Sequence, residues 1–237
     1  MSDFILYLKQ RFKWSIFLLL TFFLLLFSKN KLVFGIADIT NFVIILFFLM
    51  LMRLYDDLQN WVTDRNKSNR IYTALESKKK LAYILIILII LYLGVLIFFN
   101  IELAKKAALF FGINHILYLI FFNYWNFKSY LPLLKYPIIY MALNGHFDLT
   151  AIALFLAMIA FEILDDIDFP VSKKLRYAFA CISISLLIPK FNLFYFIVLF
   201  LALSITVFLL SKKTKTVPYL FLLLFLLTRL TVLFYAI

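Results

Sequence analysis

A single cysteine, Cys181, occurs in 237 residues, and it lies in an apolar stretch. That excludes an intrachain disulfide and any thiolate metal motif. Glycine and proline are nearly as scarce, at 4 and 5 residues, so long apolar runs go uninterrupted. Charge is thin as well: Asp, Glu, Lys and Arg together make up 15% of the chain. What fills the sequence instead is hydrocarbon. Hydrophobic residues reach 66% and the mean hydropathy is +1.03, whereas a soluble domain is closer to half apolar.

Such runs cross a bilayer as helices, because no water is present there to satisfy an open backbone. The expected fold is therefore all-α and integral to the membrane, a single polytopic domain over 1–237. Nine spans are expected, at 14–27, 32–55, 81–99, 107–124, 131–145, 149–168, 175–188, 191–210 and 217–235. The fifth and seventh are short for a span. Lys9, Arg11 and Lys13 precede the first run, and no small-residue cleavage site follows it, so the first helix reads as retained.

The net charge is +12, from 24 basic and 12 acidic residues. In a soluble chain this would suggest nucleic acid as a partner. Here the positive-inside rule and anionic lipid account for it, and no nucleic-acid partner is expected. With the N-terminus cytoplasmic, most Lys and Arg fall on the cytoplasmic side. Lys29, Lys31, Lys105, Lys106 and Lys190 face the other way. The chain is expected to be a multi-pass protein of a bacterial inner membrane.

The scarce acids gather in two places. The first is Leu54-Tyr55-Asp56-Asp57-Leu58-Gln59-Asn60-Trp61-Val62-Thr63-Asp64-Arg65, at the end of the second apolar run. Asp57, Asn60 and Asp64 stand at i, i+3 and i+7, one helical stripe. The second is Glu162-Ile163-Leu164-Asp165-Asp166-Ile167-Asp168, at the end of the sixth run. There Glu162, Asp165 and Asp166 share a face. Both runs point the same way through the membrane, so both clusters are expected on the cytoplasmic face. Acids at a helix C-terminus oppose the helix dipole, and clustered carboxylates repel one another. A cation would offset both, and Mg²⁺ takes oxygen ligands from one or two carboxylates plus substrate phosphates. An acid-rich connector is more ordinarily a solvated loop, but two matched clusters on parallel helices weigh against that. So does Glu162, with apolar sequence around it.

In the number of helices and the order of these motifs, the chain resembles the UbiA superfamily of intramembrane prenyltransferases. The family's first motif, N-D-x-x-D-x-x-x-D, is matched by Asp57 and Asp64. Asp56 stands where Asn is usual and Asn60 where Asp is usual. The arginine expected soon after looks like Arg70, so the motif covers 53–70. The second motif, D-x-x-x-D, looks like Glu162-x-x-x-Asp166 within 162–168. At the junction of the fourth and fifth helices, Tyr130, Pro132 and Lys135 resemble the family's Tyr-Pro-basic pattern, with Tyr136 in place of a second basic residue.

The resemblance implies nine helices around a central cavity open to the cytoplasm, and a prenyl diphosphate held there by Mg²⁺, two ions per diphosphate. The metal ligands would be Asp57, Asp64, Glu162 and Asp166, followed by Asp56, Asn60 and Asp165. Arg70, Lys135, Lys174 and Arg65 would hold the diphosphate, and Tyr55 and Trp61 would line the path of the allylic cation. An aromatic or lipid acceptor would capture that cation; the sequence does not name it. Two rivals stand beside this reading: a terpene cyclase using the same site, and a non-catalytic membrane transporter or binding protein. His146 reads as part of a turn on the outer face, and His115 as a polar contact within the fourth helix. Arg229 calls for a carbonyl or an acid on another helix, and Asp38 for a cation or a proton.

Overall fold

A computed structural model describes residues 7–9, 11–12, 14–29, 33–61, 78–121, 130–165, 175–188, 193–211 and 216–235. Among the described residues there is no β-strand. The α-helices of the described residues include α1 (Trp14–Phe27), α2 (Ile36–Gln59), α3 (Lys78–Phe99), α4 (Ile101–Ile120), α5 (Lys135–Asn144), α6 (Leu149–Asp165), α7 (Leu175–Ser185), α8 (Leu193–Ser211) and α9 (Val217–Tyr235), and residues 7–9 and 11 are helical as well. A 3₁₀ turn, Leu131–Leu134, leads into α5. Each expected segment overlaps one of these helices, in the expected order.

Five of them, α2, α3, α4, α8 and α9, are long and apolar enough to cross a membrane. The described parts of α1, α5, α6 and α7 have 14, 10, 17 and 11 residues. At ~1.5 Å per residue these are shorter than a hydrocarbon core of ~30 Å. Large apolar side chains face outward freely, with Phe98, Ile36 and Leu193 at 93%, 86% and 76% exposed. In water that surface would aggregate; in lipid it is solvated.

Two helix edges differ from expectation for local reasons. α2 begins at Ile36 because Gly35 is extended and donates its N–H to the Asp38 carboxylate at 2.7 Å. Asp38 thus holds the start of a helix, where the dipole favours an acid. α4 begins at Ile101, six residues before the expected start at Ala107, and a single residue, Asn100, separates it from α3. Asn100 accepts the Leu103 N–H at 3.0 Å as an N-cap, and Glu102 pairs with Lys105 at 2.8 Å across the first turn. Charges that read as a loop are the first turn of a helix.

The chain divides into two compact units. One comprises Met1–Leu25 with Phe34–Leu119, the other Leu26–Val33 with Ile120–Ile237. In the first unit α2 packs on α3. Phe48 of α2 meets Tyr92 of α3 and Phe110 and Phe111 of α4, with ring centroids 5.6–6.2 Å apart. In the second unit α6 packs against α5, α7 and α9. Its Ala151, Ala153, Ala157 and Ala160 are fully buried. Small side chains of this kind let helix backbones approach where lipid supplies no hydrophobic drive. Phe27 stacks on Phe225 at 5.1 Å and meets Tyr140 edge-on at 5.8 Å.

Candidate functional site

The first acidic motif lies inside α2, which continues to Gln59 rather than ending near Tyr55. Adjacent residues on a helix point to different faces, and the pair Asp56-Asp57 is split accordingly. Asp57 is 2% exposed and faces the N-terminal segment. Tyr7 donates its hydroxyl to Asp57 Oδ2 at 2.9 Å, and Arg11 Nε donates to the same oxygen at 2.7 Å. Arg11 Nη2 donates to Oδ1, which completes a two-pronged ion pair. Arg53, one turn back on α2, brings Nε to 3.6 Å from Oδ1. Burial first, then the Asp57 charge, drives the Tyr7 hydroxyl far above its ordinary pKa. Tyr7 therefore stays protonated and donating.

Asp56 belongs to another face. Its Oδ1 accepts from Asn60 Nδ2 at 2.8 Å and from the Tyr118 hydroxyl of α4 at 3.1 Å. Asn60 thus pairs with Asp56 at i,i+4. Asn60 closes the helix, with φ −94 and ψ 9, and its backbone N–H bonds Asp56 O at 2.9 Å. Tyr55 and Trp61 are both buried. The Tyr55 hydroxyl bonds His115 Nδ1 at 2.8 Å, and its ring meets Tyr118 edge-on at 5.4 Å. His115 is the polar contact within α4 that was expected.

An apolar cavity of ≈ 340 Å³ opens in the same unit, walled by the N-terminal segment, α2 and α3. Tyr7 lines it and also donates to Asp57.

The second motif ends α6 in the other unit. Glu162 is half-buried and Asp165 exposed. Both act electrostatically on Tyr219 of α9, whose ring meets Phe161 edge-on at 5.6 Å. Lys135 opens α5 directly after the turn that holds Pro132. It is half-buried, with Nζ 5.1 Å from the Tyr136 ring centroid. Asp64, Arg65, Arg70, Asp166 and Lys174 lie outside the described residues.

The far end of the second unit carries its own polar group. Gly145 takes a left-handed φ of 82 after α5, and His146 Nδ1 sits 3.0 Å from Asn144 O, so His146 belongs to a turn as expected. Asp148 accepts the Tyr140 hydroxyl at 2.9 Å and the Ala151 N–H at 3.0 Å, capping α6. Arg229 lies 9% exposed, with its guanidinium 6.0 Å from the Phe27 ring centroid and Asp148 as its nearby charge.

Comparison with protein-family models, curated proteins and solved structures finds no match to this chain. The donor set bears on the metal directly. Among the described residues no three His, Cys, Asp or Glu side chains gather to hold an ion, and Asp57 is held by the chain's own cations. The described residues alone do not make a metal centre.

Sequence spacing missed Tyr7, Arg11 and Tyr118. Arg11 read only as a topogenic charge. Nothing local links Tyr7 or Arg11 to a carboxylate 46 to 50 residues away. Arg53, at i−4 to Asp57, was the one partner that spacing could have found.

Proposed function

We propose that this chain is a multi-pass membrane prenyltransferase of the UbiA type, with its N-terminus and both acidic motifs on the cytoplasmic side. In this reading the C–O bond of a prenyl diphosphate breaks, diphosphate leaves with the electron pair, and the allylic cation alkylates an aromatic or lipid acceptor, which then loses a proton. Mg²⁺ is the cofactor the reading calls for, and it would neutralise charge on the departing diphosphate. Of the described residues, Asp56 and Asn60 would offer it oxygen donors from one unit, and Glu162 and Asp165 from the other, where Lys135 would be a cation for phosphate.

One observation carries the reading. Each unit ends one helix, α2 or α6, in a pair of acids within the last turn, with no basic residue in that turn. The helix dipole disfavours that placement, so the acids answer to something other than helix stability. The apolar cavity beside α2 supports a hydrocarbon ligand.

The test is purified protein with Mg²⁺ and a panel of prenyl diphosphates, followed by diphosphate release and mass spectrometry of the products. Release that stops on adding EDTA, and that falls with Asp56→Ala, is the expected outcome. A cyclised hydrocarbon would assign the chain to terpene cyclases instead. A second reading, a transporter or binding protein, is favoured by one observation, the engagement of Asp57 by Arg11. It prevails if no donor in the panel releases diphosphate.

A further inference from the structure

α3 has two distinct sides. Leu81, Leu85, Tyr92 and Leu96 are buried, at i, i+4, i+11 and i+15, and α3 packs on α2. Lys79, Tyr83, Ile86 and Ile90, at i, i+4, i+7 and i+11, make another stripe of the helix. All four are exposed, the last three at 67%, 53% and 64%. Of the five helices long and apolar enough to cross a membrane, α3 is the most apolar and the least buried.

This outer stripe changes character along its length. It starts among three consecutive lysines, Lys78, Lys79 and Lys80, all exposed, and the first turn of α3 holds no acid. The helix dipole disfavours cations at a helix start, so these charges answer to something outside α3. One turn on stands Tyr83, whose amphipathic ring suits headgroup depth. Beyond it the stripe is isoleucine. From Lys79 to Ile90 the helix runs about 16 Å at ~1.5 Å per residue, which is the depth of one leaflet of a ~30 Å hydrocarbon core.

We propose that the outer stripe of α3 binds one anionic phospholipid, with its phosphate on Lys78 and Lys79, its glycerol beside Tyr83 and an acyl chain along Ile86 and Ile90. The charge selects the head: a zwitterionic lipid brings its own cation to the lysines, and an anionic one does not. The length selects a lipid over free phosphate, which has nothing to lay on the isoleucines. The site lies on other residues than the acids of α2 and α6, and it is independent of the transferase reading.

The test reads lipid binding, not turnover. Detergent-solubilised full-length protein is incubated with equal amounts of phosphatidylglycerol and phosphatidylcholine, and bound lipid is counted by native mass spectrometry. One phosphatidylglycerol is expected to stay bound under conditions that strip phosphatidylcholine. Lys78→Gln with Lys79→Gln should weaken it about 25-fold, about fivefold for each lysine. Lys105→Gln with Lys106→Gln removes the same charge from the first two turns of α4 and should leave binding unchanged. Glycerol phosphate, a head without chains, should not displace the lipid. All four lysines are exposed, and circular dichroism checks that both paired variants stay helical. Failure to retain phosphatidylglycerol, equal retention of phosphatidylcholine, an equal loss in the two paired variants, or displacement by glycerol phosphate overturns the inference.

Discussion

Asp57 and Arg229 are both charges buried in apolar helices, 2% and 9% exposed, and the chain treats them in opposite ways. Asp57 is met by a tyrosine, a two-pronged arginine and a second arginine. Arg229 has no hydrogen bond or ion pair among the described residues, and its Nε is buried without a partner. Asp148, the acid nearby, is committed to Tyr140 and to the first turn of α6. The difference follows from side-chain length. A carboxylate on one methylene cannot leave its helix, so donors must come to it. A guanidinium on three methylenes buries its stem and carries its charge toward an aromatic face or the helix end. Burial of a charge is thus evidence of a built site only where the partners have been brought in.

The comparison breaks most readily at Asp57. Asp57→Ala removes the carboxylate that Arg11 grips with two prongs and should cost ~3–5 kcal/mol, read from unfolding in mixed SDS–detergent micelles. A loss under about 1 kcal/mol would put Asp57 in the class of Arg229. Replacing both ends of the pair by apolar side chains, Asp57→Leu with Arg11→Met, should recover most of that loss. No recovery would mean that the tyrosine or Arg53 carries the site. Tyr7→Phe removes one hydrogen bond to a charged acceptor and should cost ~1.5–3 kcal/mol in the same assay. Arg229→Met is expected to have the smallest effect, within about 1 kcal/mol of the parent or more stable, since an unpaired buried charge is removed. A large loss there would reveal a partner for Arg229 and dissolve the contrast.

Much of the fold was legible because hydropathy is a local property. The nine segments fall where the apolar runs are, and α9 matches to the residue. Two of the misplaced edges are those where a polar side chain serves the helix itself. Asp38 and Asn100 cap helices that composition alone starts elsewhere, and Glu102 with Lys105 makes a first turn out of what read as a loop. In the site, spacing found the acids and the helix ends on which they stand. It put Asp57, Asn60 and Asp64 on one stripe, and gave no sign that the Asn60 amide would bond Asp56.

By itself the sequence determined that this chain is helical, where its apolar segments lie, and where its few carboxylates interrupt the hydrocarbon. Transfer into lipid and the helix repeat depend only on neighbouring residues, so no folded context is needed to read them. Only the tertiary structure decided the division into two units and the partners of each acid. It also decided that, of two adjacent aspartates, one is held by Tyr7 and Arg11 and the other meets Tyr118. Those outcomes depend on which helix faces come together across tens of residues, and the energy of a buried charge resides in its partners.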